Sequence, residues 1–418
     1  MAMTSSSALE AVRSRFPALR EAGDREIFFD NAAGAQVPDE VLTAVRDHLV
    51  TRNVQRGGRY ALSERVDQQI EETRGLLAAF LNARSSNEII FGLNSTTLIR
   101  GVAEAARPSF RARDRVIVTE LDHEANIGPW LRLASSGADV VFWKMRGPDP
   151  RLDLDDLRAL VEEPGCGPVR WIAVPLASNA TGGIVDVAAI AKIAREAGAR
   201  AGDPGARVFV DAVHYAPHAP IDVQALGADF LAFSGYKIFG PHIGFLWGRA
   251  EALRELAPAR EFFIPAEAPY AFESGTQAYE GLAGMAGAMR YLASLADGDI
   301  RRAMERIRET EATLAAIFLE AAHALPGLTI VGDSSPEPLG RRVPTFAFRI
   351  AGRDPRKIVE ALAARRIHAR DGHLYAPRLM TALGIDPAVG ACRVSLCHYN
   401  TPAEIATFFD VLRTAGTR

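Results

Sequence analysis

The 418-residue chain is longer than one small core requires and suggests two or three domains. Its 48 Lys and Arg against 51 Asp and Glu give a net charge of -3, and the basic residues are dispersed, which excludes a global nucleic-acid footprint. No stretch of 18 apolar residues and no basic, then apolar leader is present, so no membrane span is expected and a cytoplasmic protein is.

Residues 1–25 read as a helix that packs on another part of the chain. Glu26–Phe29 reads as a short strand running into Asp30-Asn31-Ala32-Ala33-Gly34, and Pro38 and Asp39 open an amphipathic helix, Val41–Val50. NVQRGGRYALSERVD follows, polar and glycine-bearing, with Arg56 and Arg59 around a Gly pair. It is either a solvated loop or an arm reaching a neighbouring site. A helix over Glu71–Leu81 and a strand over Glu88–Phe91 lead to Asn94-Ser95-Thr96-Thr97, which opens a helix to Ala106. Free amides and hydroxyls at such a start suit an anion, and plain helix capping explains the same residues.

The alternation continues. A strand, Arg115–Thr119, ends in Asp122-His123 before a helix near Gly128; a strand, Val140–Trp143, precedes an acidic helix, Leu154–Glu162. A strand, Trp171–Leu176, ends in Ser178-Asn179; a helix, Val187–Ala197, precedes a strand, Val208–Val210, which ends in Asp211. The crossover with His214 and His218 then reaches FLAFSGYKIFGPHIGFLWG. There Lys237 stands between two apolar strands, Phe230–Phe233 and Gly244–Gly248, the second too close in sequence for a helical crossover and so expected to pair antiparallel. Desolvation lowers a lysine's pKa towards the range of a neutral nucleophile, for which Schiff-base chemistry with a carbonyl is the natural use; a loop lysine reaching to solvent is the other reading.

Beyond residue 260 a small-residue helix and a long charged helix, Asp299–Ala324, lead to strands at Leu328–Val331 and Thr345–Ile350, and a helix, Pro355–Arg365. A polar loop, ARDGHLYAPRLM, a strand, CRVSLCHYN, and a helix from Pro402 close the chain. Apolar strands alternating with helices predict an α/β fold with a largely parallel sheet covered on both faces. Ligands bind such sheets beyond the carboxyl ends of the strands, where Ser95, Thr96, His123, Asn179, Asp211 and Lys237 all fall. Cys166, Cys392 and Cys397 make neither a disulfide framework nor a zinc pattern. His123-Glu124-Ala125-Asn126 lacks the second histidine of HExxH, and the P-loop and GxSxG signatures are absent.

FFDNAAGAQVP, VDAVHYAPHAPIDVQALGADFLAFSGYK and CRVSLCHYNT, in this order, resemble fold-type-I pyridoxal-phosphate enzymes of the class V aminotransferase group, and among them the cysteine-desulfurase-like proteins. The resemblance implies a mainly parallel seven-stranded sheet in a large domain, 26–290, a small α+β domain, 291–418, and residues 1–25 packed on the latter. It implies pyridoxal 5'-phosphate bonded to Lys237, with Asp211 on the pyridine nitrogen and His123 stacked on the ring and relaying protons. A cap or structural role is the alternative for Asp211. Asn179 and His214 would lie near the phenolic oxygen, His214 departing from the usual glutamine.

The same resemblance gives the phosphate to Ser95, Thr96, Thr97, Ser234 and Tyr236, with Thr276 reaching the phosphate of a second subunit, hence a homodimer with shared sites. Arg393 would grip the carboxylate of a small amino-acid substrate, or else be a strand-edge ion pair; Arg56 and Arg59 join the substrate residues through the arm reading. Tyr375 stands where desulfurases carry the cysteine that receives sulfur. Cys397, on the strand face of Arg393 by parity and roughly 13 Å from it at about 3.3 Å per residue, reads as a buried small hydrophobe rather than the acceptor. Three activities follow as expectations: C–S lyase or desulfurase chemistry; transamination or epimerisation; and cofactor binding without catalysis.

Overall fold

The computed structural model describes residues 6–146, 150–201 and 204–414. The first strand, β1, is Ile27–Phe28; β2, Ile89–Gly92; β3, Arg115–Thr119; β4, Asp139–Trp143; β5, Val169–Pro175; β6, Arg207–Asp211; β7, Phe230–Ser234; and β8, Gly244–Gly248. Seven of them form one sheet in the order β2-β8-β7-β6-β5-β3-β4. All its neighbours are parallel except β8, which runs antiparallel to both β7 and β2, as its short connection requires. The strands β3, β7 and β8 are buried at every residue. Helices on both faces take them out of water, and this is why they read as continuous apolar runs.

A second, antiparallel sheet has the order β12-β13-β10-β9, with β9 at Leu328–Val331, β10 at Thr345–Ile350, β12 at Arg370–Gly372 and β13 at Ala391–Ser395; β11 is Ile367–His368. Its apolar core holds Phe318, Phe346, Phe348, Val394, Phe408 and Leu412. The helix Ile300–His323 joins the two cores: Met304 and Ile307 pack under the large sheet, Leu314, Phe318 and Leu319 under the small one.

Packing divides the chain differently from the expected boundaries at its start. Strand β1, expected in the large domain, pairs in parallel with β11, and Ile27 and Phe29 are buried in the C-terminal core. The N-terminal segment, expected on the small domain, is broken at Pro17 into helices Ser6–Arg13 and Pro17–Ala22. Its Val12, Phe16 and Leu19 join the large core, with the Phe16 ring 4.9 Å from Tyr399 and 5.2 Å from Tyr291, while Arg13 bonds Tyr399 O and Glu404. The segment thus bridges the two bodies, because its apolar and charged faces meet different partners. Residues 1–5 and the last four lie outside the described residues.

Other elements also differ. The helix expected from Glu71 begins at Ala61, so only the first part of the polar stretch is loop. ARDGHLYAPRLM contains β12 and most of the short helix Pro377–Ala382. The last strand stops at Ser395, which puts Cys397 beyond it and voids the parity argument. The helix Tyr279–Ser294 lies so close to Asp39–Thr51 that a Cβ at Gly287 would stand 2.5 Å from Glu40 O.

Candidate active site

Strands β5, β6 and β7 deliver their last residues to one side of the sheet, and the connections beyond them enclose a cavity. It is lined by Ser95, Thr96, Asp122, His123, Asn179, Asp211, His214, Tyr236 and Lys237, among others. Residues spread over about 140 positions meet because parallel strands all end on one side. A wider groove follows β9, lined by Thr329, Asp333, Arg349 and Asp354; it has neither lysine nor histidine in its walls.

Lys237 ends a single helical turn, Gly235–Lys237, directly after β7. The turn is tight: a Cβ at Gly235 would lie 2.8 Å from Pro241 O. Lys237 Nζ donates to Ala32 O at 2.6 Å. Ala32 belongs to the Asp30–Gly34 loop, itself tied to the end of β13 by Ala32 N to Ser395 Oγ at 2.6 Å and Asn31 Nδ2 to Ser395 O at 2.8 Å. Burial and then Arg393 push the Lys237 pKa down to about 8, against the pull of Asp211 and Asp30.

Asp211 ends β6 with Oδ1 accepting from Val213 N at 2.9 Å. Burial lifts its pKa to about 6, opposed by that amide and by Lys237. Behind it lies Asp122, also buried, whose pKa is raised well above the carboxylate range by burial first and Asp211 second. His123 accepts from Ala125 N through Nδ1 at 3.0 Å, so the ring is oriented by its own turn. Burial, with Lys237 and Arg393, lowers its pKa to about 4, which makes it a neutral imidazole near pH 7. His214 is likewise kept neutral, with Nε2 and Thr345 Oγ1 2.9 Å apart.

The helix Ser95–Ala106 points its N-terminus at the cavity. Asn94 caps it: Asn94 Oδ1 accepts from Thr97 N at 2.9 Å, and Thr97 Oγ1 returns to the Asn94 backbone. Ser95 and Thr96 line the cavity, while the hydroxyl of Thr97, expected at the phosphate, is engaged by the cap. Ser234, buried at the end of β7, donates to Ser95 Oγ at 3.0 Å and so stands behind that residue. Tyr236 stacks on His242, centroids 4.7 Å apart, at the cavity edge.

Arg393 sits on β13 with Nη1 donating to Asn179 O at 3.1 Å and Nη2 to Asp30 Oδ1 at 3.1 Å; Arg370 shares Asp30 at 2.9 Å. Arg393 is thus ion-paired, its buried Nε has no hydrogen-bond partner among the described residues, and two arginines face one carboxylate. Arg56 pairs with Asp67, Arg59 is exposed, and exposed Thr276 accepts from Gln55 Nε2. None of these three lines the cavity of its own chain. Sequence reasoning passed over Asp122, though it adjoins His123, and the Asp30–Arg370 pair, which only folding brings together across 340 residues.

The site fits pyridoxal phosphate on its own evidence. Asn179 Oδ1 and Asp122 Oδ1 are buried without a hydrogen-bond partner among the cavity-lining residues. A helix N-terminus with two hydroxyls suits a phosphate, a lysine with pKa of about 8 suits an aldehyde, and a buried carboxylate suits a protonated ring nitrogen.

Comparison with known proteins agrees. The sequence profile described as aminotransferase class-V matches residues 27–408. The chain is 35% identical over 411 residues to the aminotransferase-like protein FGM3 of Gibberella zeae, covering 96% of this chain and 97% of that one. It is 33% identical to a probable cysteine desulfurase of Streptomyces coelicolor, covering 96% of each. The solved cysteine desulfurase of Thermococcus onnurineus superposes with a TM-score of 0.86 at 29% identity over 97% of both chains. The Escherichia coli cysteine desulfurase CsdA does so with 0.83 at 30% identity over 97% of this chain and 98% of that one. A lysine and an aspartate at the ends of adjacent parallel strands, in a chain related along nearly its whole length to these proteins, make it a member of the aminotransferase class-V family and a pyridoxal-phosphate-dependent enzyme of fold type I, similar to the cysteine desulfurases.

Proposed function

We propose that the enzyme acts on a small amino acid by desulfurase-like chemistry, breaking a C–S bond at the β-carbon after the α-proton is removed. The observation that carries this is the shared cavity of Lys237 and Asp211, with pKa values brought to about 8 and about 6. Bound pyridoxal phosphate supplies an electron sink for the pair left at the α-carbon.

The chain's own residues do the rest. Lys237, roughly a tenth neutral at pH 7 for a pKa of about 8, would be the residue that holds the cofactor's aldehyde, and its amine would take the α-proton of the substrate. Asp211, mostly ionised at pH 7, holds the proton on the ring nitrogen. Neutral His123 covers the ring without adding a charge that would oppose that proton. Asn179, whose amide holds Leu374 O at 2.6 Å, leaves its buried side-chain oxygen for the group in the cavity; Ser95 and Thr96, supported by Ser234, hold the phosphate. Arg393 receives the substrate carboxylate, which balances the positive charge Asp30 leaves over.

A homodimer is part of this reading. Phe262 and Phe263 are 94% and 67% exposed, and Arg56, Arg59 and Thr276 lie outside their own chain's cavity, as residues serving a second subunit would. A reducing, cytoplasmic setting is supported by three unpaired cysteines. Among the described residues no helix is long and apolar enough to cross a membrane.

Transamination or epimerisation is the second reading. It is favoured by Tyr375 in the loop and by the thiols of Cys392 and Cys397, whose pKa values burial drives up, leaving them poor sulfur acceptors. The test is a screen of amino acids read by the visible spectrum of the bound cofactor, with product identification. Sulfide or a thiol released from cysteine-like substrates supports the first reading. Keto-acid-dependent amino transfer, or α-deuterium loss without elimination, supports the second. Lys237→Ala should abolish the protein-bonded cofactor band while circular dichroism stays unchanged; a persisting band would sink both.

A further inference from the structure

Tyr375 occupies the most constrained point of the loop between β12 and the helix Pro377–Ala382. Leu374 and Tyr375 have φ of 55° and 57°, two successive non-glycine residues in the left-handed region that bulky side chains rarely enter. The loop is held there from the large-sheet side. Asn179 Nδ2 donates to Leu374 O at 2.6 Å and Glu124 N to Tyr375 O at 2.9 Å; Arg378 pairs with Glu124 at 3.3 Å. Leu374 is buried, whereas Tyr375 is 55% exposed, so the strain is not explained by packing of the tyrosine itself. Backbone strain that the surroundings enforce points to a functional position.

The strain aims the side chain at the site. The Tyr375 ring lies 5.4 Å from that of His123, tilted by 33°. Asn179 ties this loop to Arg393, since its Nδ2 holds Leu374 O at 2.6 Å while its backbone O accepts from Arg393 Nη1 at 3.1 Å. Arg370 and Arg393 together outnumber Asp30 by one positive charge, and the free Nε of Arg393 is buried beside them. This is a partly built carboxylate site with a phenol at its edge.

We propose that Tyr375 is a substrate-contacting, specificity-determining residue whose hydroxyl donates to the α-carboxylate of the amino acid held by Arg393, while its ring closes the site over His123. The inference rests on the amino-acid reading above and assigns a binding group to it.

Tyr375→Phe removes only the hydroxyl and keeps the ring, so thermal unfolding should match the wild type. Three probes divide the carboxylate from the amine: L-alanine carries both, propionate only the carboxylate, ethylamine only the amine. L-Alanine and ethylamine are titrated against the cofactor spectrum of the full chain, and propionate is titrated calorimetrically into the cofactor-free protein. The variant should bind L-alanine and propionate about tenfold more weakly, as for one hydrogen bond to a charged group, and ethylamine equally well. Equal affinity for all three, or equal weakening of ethylamine, overturns the proposal. A wild type whose spectrum answers to no amino acid removes the amino-acid reading together with it; a wild type that answers to L-alanine beside a variant that answers as well removes the proposal alone.

Discussion

Lys237 and Asp211 owe their displaced pKa values to the same loss of water, which favours the neutral form of each. For the lysine the sign is plain: below about pH 8 it is mostly ammonium and cannot attack an aldehyde. The rate at which the cofactor-free protein takes up pyridoxal phosphate should rise close to tenfold per pH unit below 7 and level off above about 8, followed by absorbance in a stopped-flow series. Asp211→Asn keeps the shape but cannot hold a positive ring nitrogen; turnover should fall by about 10²-fold or more, the scale of losing one preorganised electrostatic contact, with cofactor still bound. These two residues stood out because Asp211 closes one apolar strand and Lys237 closes the short turn after the next. The cap that engages the Thr97 hydroxyl was not legible, because Asn-Ser-Thr-Thr offers several candidate caps. Asp30 was missed as the partner of Arg393 because 363 residues separate them.

At the scale of elements, the helix Ser95–Ala106 and strand β8 are positioned together, since a Cβ at Gly244 would lie 2.3 Å from the Asn94 carbonyl carbon. Asn94→Ala removes the cap and should cost about 1 kcal/mol of stability. It should also weaken cofactor affinity, because Ser95 and Thr96 hang from that first turn; equilibrium dialysis checks the second effect. Gly287→Val thrusts a side chain into the Glu40 backbone and should lower stability by about 1–3 kcal/mol in urea unfolding. The sheet strands were readable because burial on both faces leaves an unbroken apolar signature. The β11 and β12 segments were not. Two- and three-residue strands are too short for a pattern, and their partners are set by tertiary pairing alone.

Across the whole molecule the two sheets are joined by few but costly contacts. Arg342, buried, donates to the carbonyls of Thr181, Asp333 and Thr345, linking the connection after β5 to both β9 and β10. Burial lowers its pKa to about 10. Arg342→Met strands three carbonyls and should destabilise the protein by about 3 kcal/mol or more, at about 1–3 kcal/mol for each unsatisfied group, seen as an earlier denaturation midpoint. Sedimentation should give twice the chain mass, and Phe262→Asp with Phe263→Asp should shift it towards one. The parallel architecture was foreseeable from strand–helix alternation. The bridging role of the N-terminal segment was not, since nothing local marks which body a short amphipathic helix will meet. Strand β1 finds its neighbour β11 some 340 residues later. On a ribosome adding about 5–20 residues each second, the nascent Ile27–Phe28 edge stands without a mate for about 20–70 s. Lys237 emerges well before Ser395, the residue that fastens the loop carrying its carbonyl acceptor, so a newborn chain cannot complete its amine's surroundings until the stretch between them has also been made.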